Sequence, residues 1–240
     1  MRLLYYVPAI GNNNYDIKKN ILIDNLTYLY EQLNQPIDLI LNAYDEDIDF
    51  FETLRKNKII NNCYIHSKKG ILVELWKSNP YHHLINNYDM VFLNYDDVEL
   101  KYYKIHQLLN IMNRYNIDII SPLVEGATHQ YMRTHYEYDI IFTNMIEIYC
   151  LLMKPKTFLK YLDYQDIQNK WTWGSDLLLG YYGFKNALYS RAYVKHHFPQ
   201  NNKNLKNEAY LDMYKYINKF GFKTVDEIYK KFPLIIGYIK

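Results

Sequence analysis

Apolar and polar positions follow two alternating patterns along the first half of the chain. Short apolar runs bounded by turn residues predict buried strands, and apolar residues at intervals of three and four predict helices between them. The predicted strands are 3–7, 37–41, 59–65 and 88–93, and the predicted helices are 16–33, 47–56 and 69–87. Because the strands alternate with helices, we predict a doubly wound, mostly parallel α/β sheet.

The second half of the chain has a less regular pattern, and residues 124–142 are polar without a clear period. Its predicted elements are helices at 104–115 and 156–162, strands at 117–120, 145–153 and 189–197, and an aromatic loop leading into a helix at 171–182. An Asn- and Lys-rich linker follows Pro199, and a helical tail is predicted from about 205 to 231.

The composition is that of a globular protein and argues against several other classes. Hydrophobic residues make up 49% of the chain and charged residues 22%, which argues against disorder. A formal charge of +2 is too balanced for nucleic acid to be the main partner. No segment approaches the roughly 20 apolar residues of a transmembrane helix. With Cys63 and Cys150 lacking a partner motif and no signal peptide at the N-terminus, we expect a cytoplasmic protein.

An acidic cluster directly follows the fourth predicted strand. Asp96, Asp97 and Glu99 lie in the loop that this strand delivers to the edge of the sheet, where doubly wound proteins bind ligands. Mn²⁺ and Mg²⁺ prefer such oxygen ligands, together with substrate phosphates. We expect Asp97 to contact a metal ion, and Asp96 to contact a ribose or a metal-bound water; Glu99 could exchange roles with either. The alternative is an Asp-rich turn that caps the next helix.

An apolar strand that ends in a DXD-like motif, fourth in a doubly wound half, resembles the GT-A glycosyltransferases. The ordered series is VPAIG, KKG, FLNYDDVEL, ISP, WTWGSDLL and VKHHF. It spans about 1–198 and is most similar to the small transferases of large algal viruses that build capsid glycans. Asn94 stands where many relatives have the first Asp. The motif is therefore either Asn94-Tyr95-Asp96 or Tyr95-Asp96-Asp97.

The resemblance implies a GT-A fold, a Rossmann-like mixed sheet flanked by helices, and a metal-dependent transfer reaction. A sugar would pass from a nucleoside diphosphate sugar, with a UDP-sugar favoured, to a hydroxyl of a glycan or glycoprotein. The cofactor would be Mn²⁺ or Mg²⁺, and a viral enzyme would act in the host cytoplasm. We predict one domain over 1–198, with a nucleotide-binding half at 1–99 and an acceptor half at 100–198. The linker and helical tail at 199–240 would pack on that domain.

The donor nucleotide is expected to bind the loops after the first four strands. The segment from Val7 to Gly11 matches the first-strand loop that holds the nucleotide in the family, and its small residues allow close backbone approach. Asp45 could accept a hydrogen bond from uracil or cap a helix, and Lys69 could pair with the diphosphate or be solvated. The residues predicted to contact the nucleotide are Pro8, Ala9, Ile10, Gly11, Asp45, Lys69, Tyr95 and Asp96.

Two tryptophans beside a glycine and a carboxylate suggest a sugar-binding wall. Trp171 and Trp173 could pack on sugar rings, as could some of the 28 tyrosines, although codon bias also explains that number. Asp176 would take the acceptor's proton in an inverting enzyme, and would contact the donor sugar in a retaining one. The alternative places Trp173 in the core and Asp176 in the first turn of a helix.

The last predicted strand ends in two histidines, which strand alternation points to opposite faces. The resemblance implies that a histidine here completes the metal shell, and His196 fits the V-x-H pattern better than His197. Glu147 is a further candidate for the acceptor cleft. Arg133 and His135 are additional candidates in the irregular segment.

Two other functions remain compatible with the sequence. A nucleotidyltransferase would share the doubly wound half and the metal carboxylates, but it usually carries a Gly-rich phosphate loop, which this chain lacks. A glycan-binding module with a decayed metal site would keep the aromatic residues, and Asn94 favours that alternative.

Overall fold

A mixed sheet forms the centre of the computed structural model, which describes residues 1–11, 13–125, 137–198 and 203–240. The strands are β1 Leu3–Ile10, β2 Ile37–Ala43, β3 Ile60–Ser67, β4 Met90–Asn94, β5 Val98–Tyr102, β6 Ile119–Glu125, β7 Ile140–Thr143, β8 Cys150–Met153, β9 Asn186–His196 and β10 Ile235–Ile239. The helices are α1 Tyr15–Leu33, α2 Ile48–Lys56, α3 Leu72–Ser78, a 3₁₀ helix His82–Asn87, α4 Ile105–Tyr115, α5 Pro155–Tyr164, α6 Lys203–Asn218 and α7 Val225–Lys231.

The strand order is β10-β7-β9-β6-β8-β4-β1-β2-β3, and β5 pairs with β9 outside this path. The parallel pairs are β1–β2, β1–β4, β2–β3 and β6–β9. Among the strands of the described residues, the antiparallel pairs show that only β5, β7 and β8 run against the common direction. The predicted mixed, mostly parallel sheet flanked by helices is therefore confirmed. The carboxyl ends of β1, β4 and β9 lie on one edge.

Strand β1 shows why both faces of the sheet are covered. Every side chain of Leu3–Ile10 is buried, and alternate residues enter two separate cores. Tyr5 packs with α1, α2 and α4 on one face, and Tyr6 packs with α3, α5 and the tail on the other. Continuous burial on both faces is typical of a central parallel strand.

The C-terminal tail joins the second core. Met213, Tyr216 and Ile217 of α6 are buried there, and the Tyr216 hydroxyl lies 2.5 Å from that of Tyr182. The tail ends in β10, which pairs antiparallel with β7 and extends the sheet. No helix in the described ranges combines the length and apolar character needed to cross a membrane.

Several predicted boundaries were wrong, mainly where pairing between distant segments decides the structure. Strand β1 continues through Pro8 to Ile10 because a register irregularity after Val7 accommodates a residue without an N–H. The loop predicted to hold Asp96, Asp97 and Glu99 contains the start of β5, and the predicted strand at 145–153 begins only at Cys150.

The predicted helix within 171–182 is replaced by consecutive turns. Thr172 and Gly174 adopt φ values of 59° and 88°, and a helix cannot form through this left-handed backbone. The predicted helix at 69–87 is divided into α3 and the 3₁₀ helix, because Pro80 between them cannot continue the helical hydrogen bonding.

Candidate functional site

The carboxyl ends of β1, β4 and β9 bring together four of the predicted site residues. Gly11 follows β1, Asp96 and Asp97 form the turn between β4 and β5, and His196 ends β9. The turn is short because the Val98 amide donates to the Tyr95 carbonyl at 3.2 Å. Two adjacent carboxylates therefore point from one tight turn in different directions.

Asp96 points toward the first-strand loop. Its Oδ2 accepts a hydrogen bond from the Gly11 amide at 2.9 Å and pairs with Lys18 Nζ at 2.8 Å. Burial raises the pKa of Asp96, as does the neighbouring Asp97 charge, while Lys18 and the Gly11 amide oppose the rise. Asp96 thus joins β1, α1 and the acidic turn.

Asp97 points toward the end of β9. Its Oδ2 lies 3.2 Å from His196 Nε2, and the His197 amide donates to the Asp97 carbonyl at 2.9 Å. The His196 side chain is only 7% exposed, and its Nδ1 is buried without a hydrogen-bond partner among the described residues. The ring of Tyr149 packs against the imidazole, with ring centroids 4.5 Å apart.

Glu99 and His197 form a separate pair beside the first. His197 Nε2 lies 2.6 Å from Glu99 Oε2, and Lys101 pairs with the other Glu99 oxygen. Burial opposes ionisation of Glu99, but Lys101 and His197 outweigh it and lower its pKa. The two histidines therefore contact different carboxylates.

Asp97 and His196 fit a divalent metal ion. Two neighbouring ligands of an octahedral ion, each about 2.1 Å from it, lie about 3 Å apart. The observed 3.2 Å between the two atoms agrees with that spacing. Within the part of the chain that the structure describes, no group of three or more His, Cys, Asp or Glu side chains forms a metal cluster. The pair would therefore supply two ligands, and phosphates and water the others.

Asn94 belongs to the core rather than to the site surface. It is fully buried, and its Nδ2 donates to the Tyr5 hydroxyl at 3.0 Å and to the Val98 carbonyl at 2.9 Å. Asn25 of α1 also donates to Val98 and accepts from the Leu100 amide, both at 2.8 Å. These amides hold the β4–β5 turn in place, which gives Asn94 a structural role.

The predicted nucleotide residues differ in exposure. Pro8, Ala9 and Ile10 are buried in β1, and the Pro8 carbonyl accepts a hydrogen bond from Trp76 Nε1 at 3.0 Å. The expectation of a loop at these three residues was wrong, and Gly11 is the first residue of the segment to reach the edge.

Asp45 and Lys69 lie after β2 and β3. Asp45 lines an open hollow of about 550 Å³ together with Tyr15 and Asp47. Asp47, not Asp45, caps α2 by accepting from the Phe50 amide at 3.0 Å. Lys69 is exposed. Tyr95 is half-buried, and its ring stands edge-on to Tyr149 at 5.7 Å.

The segment 171–176 packs against the tail. Trp173 contacts Tyr210 edge-to-face, with ring centroids 5.1 Å apart, and the buried Trp171 Nε1 has no partner among the described residues. Asp176 Oδ1 accepts from the Gly174 amide at 3.2 Å. Burial raises the pKa of Asp176 to about 6, opposed by the surrounding backbone amides. The alternative that placed Asp176 in a helical turn was wrong.

Tyr149 connects the two parts of the site. Burial raises the pKa of its hydroxyl, and the charges of Glu147, Asp176 and Asp97 raise it further. The charges of these three predicted site residues therefore all act on one hydroxyl. Neither Tyr149 nor Lys18 was predicted from the sequence. Arg133 and His135 lie outside the described residues.

Comparison with known proteins identifies the fold. No family model and no curated protein matches the chain. Among solved structures, GalNAc-T7 with UDP, GalNAc and Mn²⁺ has a TM-score of 0.59 and 10% identity, covering 91% of this chain. This chain spans half of that one. A197 from STIV, a viral protein, has a TM-score of 0.50 and 13% identity, covering 83% of this chain and 87% of its own.

The chain therefore has the fold of the GT-A glycosyltransferases. The resemblance to this class, including a viral protein, is confirmed at the level of the fold.

Proposed function

We propose that the protein is a metal-dependent glycosyltransferase that moves a sugar from a nucleoside diphosphate sugar to a hydroxyl of a glycan or glycoprotein. The observation that carries this proposal is the 3.2 Å Asp97–His196 pair at the carboxyl edge of a GT-A fold. The structural neighbour GalNAc-T7 contains UDP and Mn²⁺. That neighbour supports a UDP-sugar as the donor.

Asp97 and His196 would hold the cation. An imidazole beside a carboxylate favours Mn²⁺ over Mg²⁺, which prefers oxygen ligands alone. A bound ion would neutralise the negative charge that develops on the diphosphate as it leaves. Asp96 would support the site without contacting the ion directly, because its Oδ2 already contacts Gly11 and Lys18. There it would fix the first-strand loop beside the ribose.

We assign the donor to residues 1–99 and the acceptor to residues 100–198. Gly11 and Asp45 would contact the nucleotide, and Lys69 would reach the diphosphate from the loop after β3. Trp171, whose indole N–H has no partner in the described part of the chain, would contact the acceptor or the transferred sugar together with Trp173 and Glu147.

Asp176 is the candidate catalytic residue. A carboxyl whose pKa is near 6 is ionised at neutral pH and still basic enough to take a proton. In an inverting enzyme it would receive the proton of the acceptor hydroxyl. In a retaining enzyme it would instead accept hydrogen bonds from the donor sugar.

Slow hydrolysis of the donor tests the proposal without knowledge of the acceptor. Purified protein is incubated with UDP-sugars and GDP-sugars, with Mn²⁺ or with EDTA, and release of the nucleoside diphosphate is measured. A transferase releases UDP only with the metal present. Formation of a nucleotide sugar from a nucleoside triphosphate and a sugar phosphate would instead identify a nucleotidyltransferase. A protein that binds glycans and does neither would be a binding module.

A further inference from the structure

Tyr149 is held firmly beside the proposed metal ligands. It directly precedes β8, where Cys150 pairs with Asn94 at the end of β4. Its carbonyl accepts a hydrogen bond from the Tyr95 amide at 3.0 Å, and its ring meets that of Tyr95 edge-on at 5.7 Å. The backbone and the ring of Tyr149 are thus both fixed at the carboxyl end of β4.

The same ring also packs on His196. The two ring centroids are 4.5 Å apart and the planes are inclined by 31°. This contact matters because no hydrogen bond from the described residues to the second ring nitrogen holds the imidazole in place. A metal-binding histidine usually donates its second ring N–H to a carboxylate, carbonyl or water, which sets the orientation of the ring. Here Nδ1 is buried and has no such partner in the described ranges.

We propose that Tyr149 is a positioning residue, whose ring keeps His196 Nε2 facing Asp97 where the described residues offer Nδ1 no hydrogen-bond partner. The inference rests on the proposed function, since it assigns Tyr149 to the metal site of the same reaction. Rotation of the imidazole would move Nε2 away from Asp97, and the packed Tyr149 ring opposes that rotation. The hydroxyl of Tyr149 is not required for this role.

Three variants test which part of Tyr149 matters. Tyr149→Leu removes the aromatic face, Tyr149→Phe keeps it without the hydroxyl, and Tyr115→Leu is the matched control. Tyr115 is also half-buried and meets Phe142 edge-on at 5.7 Å, in a different part of the sheet. Mn²⁺ affinity in the presence of UDP is measured by electron paramagnetic resonance, and the melting temperature by circular dichroism.

We expect Tyr149→Leu to weaken Mn²⁺ binding by about 10- to 100-fold, as loss of an orienting contact does at other metal sites. Tyr149→Phe should stay within about twofold of wild type, since it keeps the ring contact. Tyr115→Leu should lower the melting temperature without a change in Mn²⁺ affinity.

The result that overturns the role of Tyr149 is distinct from failure of the metal site. If His196→Ala weakens Mn²⁺ binding but Tyr149→Leu does not, the positioning role is wrong and the metal site stands. Equal losses of Mn²⁺ affinity in Tyr149→Leu and Tyr115→Leu would also overturn the positioning role, because they would reflect general destabilisation. If wild-type protein binds no Mn²⁺ with UDP present, both the metal site and the role of Tyr149 are wrong.

Discussion

Lys18 of the first helix and Asp96 of the acidic turn form an ion pair of 2.8 Å whose side chains are only 12% and 11% exposed. The same Asp96 oxygen accepts the Gly11 amide. A single buried charge pair therefore connects α1, the first-strand loop and the turn that carries Asp97. Its geometry helps to set the shape of the proposed donor site.

Replacement of Lys18 should leave a buried carboxylate without its counter-charge. We expect Lys18→Met to lower the free energy of unfolding at pH 7 by about 3 kcal/mol, measured by urea denaturation. Burial already raises the pKa of Asp96, so its ionisation costs stability as pH rises. Without Lys18 that cost is larger. The loss of unfolding free energy caused by Lys18→Met should therefore grow as pH rises through the pKa of Asp96, and shrink in acid.

The neighbouring lysine provides the control for this variant. Lys19 pairs with Asp16, whose side chain is 90% exposed, and with Asp47. Lys19→Met should cost much less stability than Lys18→Met, as expected for exposed pairs. Equal losses of unfolding free energy in the two variants would contradict a buried Lys18–Asp96 pair. A loss in Lys18→Met that does not change with pH would also contradict it.

Loss of either proposed metal ligand should abolish metal-dependent nucleotide binding. Asp97→Ala or His196→Ala should reduce UDP affinity in the presence of Mn²⁺ by about 100-fold or more, because each removes one of two protein ligands. Calorimetry with and without Mn²⁺ measures this. Asp139→Ala is the control, since Asp139 is a more exposed carboxylate paired with Arg191 at 2.6 Å. Unchanged Mn²⁺-dependent affinity in Asp97→Ala, with the fold intact, would refute the assignment.

The first half of the fold could be predicted because its information is local. Strands β1 and β4 are mainly apolar runs, β2 is apolar apart from Asp38 and Asn42, and α1 and α2 follow from apolar spacing. The short strands β5, β7 and β10 were missed. Each has five residues or fewer and depends on a partner distant in sequence. Nothing in the spacing of these segments identifies that partner.

The site was predictable where a strand end marked it, and not where only tertiary packing does. Asp97 closely follows the apolar strand β4, so it could be proposed from the residues, and His196, at the end of β9, was proposed from the family resemblance. Lys18 lies on α1 among other polar residues and resembles a solvated lysine until Asp96 is placed beside it. Tyr149 is one of 28 tyrosines, and its sequence context resembles that of many others.

Gly174 should be required by both its backbone conformation and its contact with the tail. Its φ is 88°, and an added Cβ would lie 2.9 Å from Met213 Cγ. Gly183 is the control, with φ 79° and open space around the added atom. Gly183→Ala should cost about 1–2 kcal/mol from backbone strain. Gly174→Ala should cost about 1–3 kcal/mol more from overpacking. If Gly174→Ala and Gly183→Ala lose similar amounts of unfolding free energy in urea denaturation, α6 moves away freely from the added methyl group.

Asp176 should control the pH dependence of the reaction. Burial raises the pKa of this carboxyl to about 6, so the fraction able to take a proton increases as pH rises from 5 to 7. The rate of transfer by an inverting enzyme should rise over that range and then level off. Asp176→Asn should lower kcat by about 10²- to 10⁴-fold, the usual contribution of a general base. Rates across pH 5–8 with a saturating donor measure both effects.

Stability measurements separate this catalytic loss from unfolding. Because burial raises the pKa of Asp176, its ionisation removes stability as pH increases from about 4 to above 6. Asparagine carries no charge, so Asp176→Asn should gain stability relative to wild type across that interval. At pH 8 the variant should therefore be folded yet inactive. A variant that keeps its rate within twofold, or a wild-type rate that is constant from pH 5 to 8, would exclude Asp176 as the base and favour a role in binding the donor sugar.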